Sequence, residues 1–228
     1  MTQLTAMVDT VVNFELEIPA PGVCHLIFDT QRDLAQTMMR LQEYYEGSSD
    51  LICGNYFTLE QFIHHFTDSE GHFDYTHSWS GFNLPGHVVD EWELLFKSKD
   101  GLTHKEQQMM LALSLHRTAD SKWYLIGTAK ATSSKIVIHE LAHARYYLDP
   151  RYKTACDQLT ATLAKKDRRY MNSMLAKMGY NKKVELDEIQ AYLSTSTGAE
   201  LDNWFFKLSA DAKPVIRKFR KLFKSHSN

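Results

Sequence analysis

Apolar positions along the chain change period several times, and the changes mark out elements. Residues 7–18 mix β-branched and apolar side chains ahead of Pro19 and Pro21 and predict a strand; Val23–Phe28 predicts a second. From Thr30 the period becomes helical. Leu34, Met38, Leu41 and Tyr45 fall on one stripe of a helix capped by Asp29 or Thr30 and running to about Glu46. Gly47-Ser48-Ser49-Asp50 is a loop. Thr58-Leu59-Glu60-Gln61 and Thr103-His104-Lys105-Glu106 have the form of capping boxes, opening helices to about Phe66 and about His116. Residues 67–87, punctuated by Gly71, Gly81, Pro85 and Gly86, predict irregular backbone. Lys122–Thr128 predicts a strand. A helix then opens at Ser133 or Ser134 and stops at Pro150, and another runs from Arg151 to about Met178 with Gly179 as its cap. Three more helices follow: one through Val184–Leu193, one over Ala199–Leu208, and one from Pro214 to about Lys224.

This order predicts an α+β fold, rich in helix, with a small mixed sheet. The 228 residues suffice for one large domain with its own core. Residues 1–100 form an N-terminal α+β part with an irregular aromatic loop, and 101–228 a helical part ending in a basic helix. A net charge of −2 gives no case for nucleic-acid binding. An aromatic content of 12% argues against disorder. There is no apolar run of membrane-spanning length, and Met1–Glu17 lacks the basic-then-apolar order of a secretory signal. Cys24, Cys53 and Cys156 are odd in number and far apart, so they read as reduced thiols. These features together point to a cytoplasmic protein.

The densest chemical signal is Ile136-Val137-Ile138-His139-Glu140-Leu141-Ala142-His143-Ala144. Its pattern is His-Glu-x-x-His on a helix. Four residues is about one turn, so His139 and His143 project from one face and can reach the same metal ion. Glu140, beside the first histidine, can serve as general base toward a water on that metal. Apolar neighbours surround the motif, whereas a solvated helix face would not be apolar on so many sides. Buried histidines and a buried glutamate need partners, and a metal supplies one.

His139-Glu140-Leu141-Ala142-His143 resembles the active-site helix of the zincin metallopeptidases, over about ten residues of the chain. That resemblance implies a zincin-like core with one zinc ion on His139 and His143, Glu140 as the base, and a peptide or protein substrate. A catalytic zinc takes a third protein ligand. Similarity to the glutamate-ligand zincins (gluzincins) implies an acid on a later helix, and Glu188 fits. Glu185 and Asp187 are rivals on the same segment, and Glu185, one turn earlier, could instead orient a histidine. Asp149 has the spacing of the metzincin third ligand, but Tyr146 stands where that family has its turn glycine. Asp149-Pro150 reads more simply as a helix stop.

Further groups bear on this chemistry. Tyr192, one turn after Glu188, is the first choice to hydrogen-bond the developing oxyanion, ahead of Tyr146 and Tyr147. In zincins a sheet edge before the active-site helix aligns extended substrates, and Trp123–Thr128 holds that place in the sequence, although its side chains read as a core strand. His64, His65, His72, His77 and His87 match no zinc module; Tyr75–Asn83 among them is aromatic enough to be a lid, a substrate wall or a packed loop. The C-terminal segment interleaves Lys213, Arg217, Lys218, Arg220, Lys221 and Lys224 with Val215, Ile216, Phe219, Leu222 and Phe223. It reads as a helix docked by its apolar stripe, with a weak anionic-membrane contact as the second reading. Two other functions suit the same residues: a non-haem iron enzyme on the same ligands, or a non-catalytic interaction protein that keeps the helix as a relic.

Overall fold

The computed structural model describes residues 11–99, 101–117, 122–204 and 208–226. The chain divides into two units, one through Ser133 and one from Ser134 onward. The boundary falls after 133, not near 100, because the capping-box helix at Thr103 and the strand after Lys122 both pack with the N-terminal elements.

In the first unit, β1 (Phe14–Ala20), β2 (Val23–Phe28), β3 (Gly81–Pro85) and β4 (Tyr124–Ala129) form one sheet in the order β1-β2-β4-β3. β2 and β4 are parallel, while β1–β2 and β3–β4 are antiparallel, so the sheet is mixed. β4 is paired on both sides and every residue in it is buried. It is an interior strand and offers no edge for a substrate. β1 begins at Phe14, and residues 7–10 of the expected strand lie outside the described residues. It continues through Pro19 because it is an edge strand: the missing N–H costs no ladder bond there, and the register slips between Glu17 and Ala20.

Helix α1 (Gln31–Glu46), capped by the Thr30 side chain, packs across β2, β3 and β4. Gly127 permits the close approach, since a Cβ there would lie 2.0 Å from Met38 Sδ. Both expected capping boxes are present, at Thr58 on α2 (Leu59–Phe66) and at Thr103 on a helix spanning His104–Ser114. The irregular stretch expected over 67–87 is corrected by the structure. It holds the short α3 (Tyr75–Ser78), the strand β3 and the start of α4 (Gly86–Lys97). Gly81 and Pro85 bracket an edge strand of five residues, where neither breaker interrupts a central ladder. Val88, Val89, Trp92 and Phe96 form the buried stripe of α4, for which no element was expected. Tyr75 belongs to a ring cluster with Phe62, Phe66 and Phe73, and its hydroxyl donates to Glu43 at 2.6 Å. The aromatic stretch therefore begins inside this unit's core.

Helix α5 (His104–Ser114) is tied to α1 by buried charge. Arg40 Nε donates to Glu106 Oε1 at 2.8 Å, and its two Nη atoms reach the Phe57 and Gly101 carbonyls and Glu106 Oε2. Lys105 Nζ donates to Asp33 and Gln36 at 2.6 and 2.7 Å. Removing one member of such a pair strands the other charge in the core. Arg40→Ala should therefore lower stability by about 3–5 kcal/mol. Denaturant unfolding followed by tryptophan fluorescence would measure this, and a loss under 1 kcal/mol would show the pair to be dispensable.

The second unit is helical among its described residues: α6 (Ser134–Leu148), α7 (Pro150–Thr162), α8 (Lys165–Lys177), a single turn over Lys182–Val184, α9 (Glu185–Thr195), α10 (Gly198–Trp204) and α11 (Ala212–Ser225). α9 lies at its centre and packs on α6, α7, α8 and α11. The single helix expected over 151–178 is two helices, broken where Leu163 and Ala164 both take ψ of 141°. No breaker residue marks that point. The buried Leu163 packs in the unit's core, and buried Asp167 accepts from Ser209 N and Oγ at 2.9 and 2.6 Å. Tertiary contacts thus override local propensity here. Gly179, at φ +94°, ends α8 as expected. In the helix expected over Ala199–Leu208, residues 205–207 lie outside the described residues.

The apolar stripe of α11 (Val215, Ile216, Phe219) is buried in the unit's own core, with Lys213, Arg217, Lys218, Lys221 and Lys224 exposed. Among the described residues no helix is long and apolar enough to cross a membrane.

Candidate metal centre

The site lies between two helices of the second unit. α6 supplies His139 and His143 one turn apart, and α9 supplies Glu188 from its first turn, where an acid is favoured by the helix dipole. His143 and Glu188 are fully buried, and His139 is the outer, part-exposed member, with 18% of its side chain accessible. The two Nε2 atoms stand 3.2 Å apart. Glu188 Oε1 is 3.6 Å from His143 Nε2, and Oε2 is 4.0 Å from His139 Nε2. Among the described residues this is the one group of three or more His, Cys, Asp or Glu able to hold a metal. The histidines of residues 64–87 form no such group; His72 instead makes exposed contacts with Asp68 and Glu70.

The partners behind the ligands fix which nitrogen faces inward. His143 Nδ1 donates to Asp187 Oδ1 at 2.8 Å. His139 Nδ1 lies 3.3 Å from Thr195 Oγ1, whose own proton goes to the Ala191 carbonyl at 2.7 Å. A hydroxyl has one proton, so Thr195 must accept from His139 Nδ1–H. The Nε2 atoms then turn toward each other and toward the carboxylate. Two lone pairs facing at 3.2 Å would repel, so either a proton on one nitrogen or a metal cation must lie between them. Glu188 Oε2 is buried and lacks a hydrogen-bond partner, which is costly for a carboxylate. A divalent cation answers both problems. In a tetrahedral zinc site with bonds near 2.05 Å, ligand nitrogens stand about 3.3 Å apart, close to the spacing found. The donor set of two imidazoles and a carboxylate suits zinc.

Electrostatics agree with this. Burial drives the His139 pKa well below the ordinary histidine range, aided by its neighbour His143, so His139 is neutral. Burial also opposes charge on His143, but Asp187, Glu188 and Glu140 outweigh it and hold its pKa up. Glu188 is raised by burial and by Asp187 and Glu140, against the pull of His143. Without a metal, then, the cluster keeps a proton at neutral pH. A metal bound here would have to displace it.

The structure sorts the sequence candidates. His139, His143 and Glu188 come together as expected. Glu140 is buried on α6, and the Tyr192 ring packs on His139 with centroids 4.7 Å apart. Glu185 faces elsewhere and accepts from Asn172 Nδ2 at 2.7 Å, so the histidine-orienting role considered for it belongs to Asp187. Asp149 caps α7, accepting from the Arg151 and Tyr152 amides at 2.8 and 3.1 Å. Tyr146 donates to Asp157 at 2.5 Å. Two groups escaped the sequence reading. Thr195 lies two turns after Glu188 and extends the Glu188–Tyr192 stripe, a spacing that could have revealed it. Gln190 braces Asp187 at 2.9 Å and the Ala142 carbonyl at 3.2 Å, and its Oε1 accepts from Tyr152 at 3.1 Å. Leu186 on α9 is 47% exposed, and Ile138 beside the motif is 43% exposed.

No protein-family model, no curated protein and no solved structure matches the chain.

Proposed function

We propose that the chain is a zinc-dependent hydrolase with a zincin-like site, acting on a peptide or peptide-like amide. The observation that carries this reading is the facing pair of Nε2 atoms beside an unpartnered, buried carboxylate oxygen. His139, His143 and Glu188 would hold the metal, with Asp187 orienting His143. When bound, the metal would acidify a water and polarise the scissile carbonyl. Glu140 takes the proton from the attacking water and passes it to the leaving amine nitrogen. Tyr192, beside His139, donates a hydrogen bond to the carbonyl oxygen as negative charge develops there. Charge favours a neutral substrate. Three carboxylates, Glu140, Asp187 and Glu188, act on the histidines, so a divalent ion leaves a net negative surround that repels a phosphate and accepts an amide.

The proton held by the metal-free cluster gives a pH prediction. His143 must deprotonate to bind, so zinc binding near pH 7 should release at least one proton per chain. Apparent affinity should then rise about tenfold per pH unit for each proton displaced. Calorimetry in buffers of differing ionisation enthalpy reads the count directly; zero release would mean that the ion binds elsewhere. Asp187→Asn keeps the shape but removes the anion behind His143. It should weaken zinc about 10–100-fold, as read by competition with a chromophoric chelator. Unchanged affinity would reduce Asp187 to a structural role. Hydrolysis itself is tested with the zinc-loaded protein against a mixed peptide library, where the proposal requires new termini that disappear with a chelator.

A further inference from the structure

We infer that Thr195 is the positioning residue for His139, fixing its Nδ1–H tautomer and so aiming Nε2 at the metal. The inference rests on the metal reading above and extends it to a residue outside the motif. The two ligand histidines are held unequally. His143 is fully buried and gives its Nδ1 proton to a carboxylate, Asp187, which Gln190 braces in turn. His139 is part-exposed and gives its proton to a neutral hydroxyl.

That hydroxyl has no freedom to reverse the bond. Its proton is committed to the Ala191 carbonyl one turn earlier on α9, an ordinary back-bond for threonine in a helix. Thr195 is thus an acceptor toward His139 by construction. Glu188, Tyr192 and Thr195 lie four and three residues apart on one stripe of α9. That single stripe supplies a ligand, the ring packed on His139 and the acceptor for its Nδ1. A neutral acceptor raises the basicity of its histidine less than an anion does. His139 is thereby the weaker of the two nitrogen ligands.

The test uses the full chain and two substitutions. Thr195→Val keeps the branched shape and removes the acceptor; Thr195→Ser keeps the acceptor. Zinc affinity is measured by chelator competition, and the His139 Nδ1–H hydrogen bond by the exchange rate of that proton in the metal-free protein. Thr195→Val should weaken zinc by about 10-fold, the low end of the range for a group behind a ligand, and should speed exchange of the His139 Nδ1 proton, whose acceptor is gone. Thr195→Ser should match the parent in both measurements. Parent-like affinity and exchange in Thr195→Val would overturn the inference, as would a Thr195→Ser variant as weak as the valine one. The exchange readout needs no metal. A parent that binds no zinc but exchanges its Nδ1 proton faster in Thr195→Val would therefore sink the metal reading and leave the Thr195 contact standing.

Discussion

Glu140→Gln should leave zinc bound and lower kcat/KM for peptide hydrolysis by about 10²–10⁴-fold, the usual contribution of a general base. Glutamine has the shape of glutamate and keeps a hydrogen-bonding carbonyl, but cannot take a proton from water. Glu140 is buried on α6 beside His139, so a larger or smaller side chain would disturb packing as well as chemistry. The amide also lightens a crowded acidic cluster. Glu140 is among the carboxylates that push Glu188 upward, and removing its charge relieves that repulsion rather than adding strain. Folding and metal content should thus survive while turnover falls, which separates a base from a ligand. Turnover equal to the parent would remove Glu140 from the mechanism. Loss of metal would make it a ligand instead.

Removing a ligand should do the reverse. His143→Ala should lower zinc affinity by more than the roughly 100-fold ceiling seen for groups behind the ligands. It should also destabilise the second unit, because Asp187 and Glu188 lose the imidazole whose charge offsets theirs. Glu188→Gln should likewise release zinc. It replaces a carboxylate whose Oε2 is buried without a hydrogen-bond partner, so the metal-free protein should not lose stability. Asp149→Ala is the contrasting case. Asp149 caps α7 through two backbone amides, so its loss should cost about 1 kcal/mol and leave zinc in place. Release of zinc by Asp149→Ala alone, with Glu188→Gln still loaded, would reverse the ligand assignment.

The histidine pair was legible because helical geometry allows few readings of His139-Glu140-Leu141-Ala142-His143. Glu188 was harder to place, since three acids share its helix and only packing shows which of them reaches the inward-facing Nε2 atoms of α6. Asp187, and not Glu185, takes the place behind a histidine for that reason: the first turns to His143 and the second to Asn172. Capping residues were readable at Thr58 and Thr103 because a cap is a local hydrogen-bond pattern. β3 was hidden by Gly81 and Pro85, which break central strands but are tolerated at an edge. The break at Leu163-Ala164 was not legible, as it comes from burial of Leu163 and from Asp167 reaching Ser209, a contact of long sequence separation. The basic tail's reading as a docked helix followed from its apolar stripe, which the second unit's core covers.

The most direct test of the metal centre is elemental analysis of the native protein, purified without chelator and repeated after incubation with zinc, beside the His139→Ala and His143→Ala variants. The account predicts about one zinc per chain, lost in both variants. Iron at the same stoichiometry, lost in the same variants, would keep the site but redirect the chemistry toward oxidation. Protein that takes up no metal under either condition, or that keeps its zinc in both variants, would contradict the account at its centre.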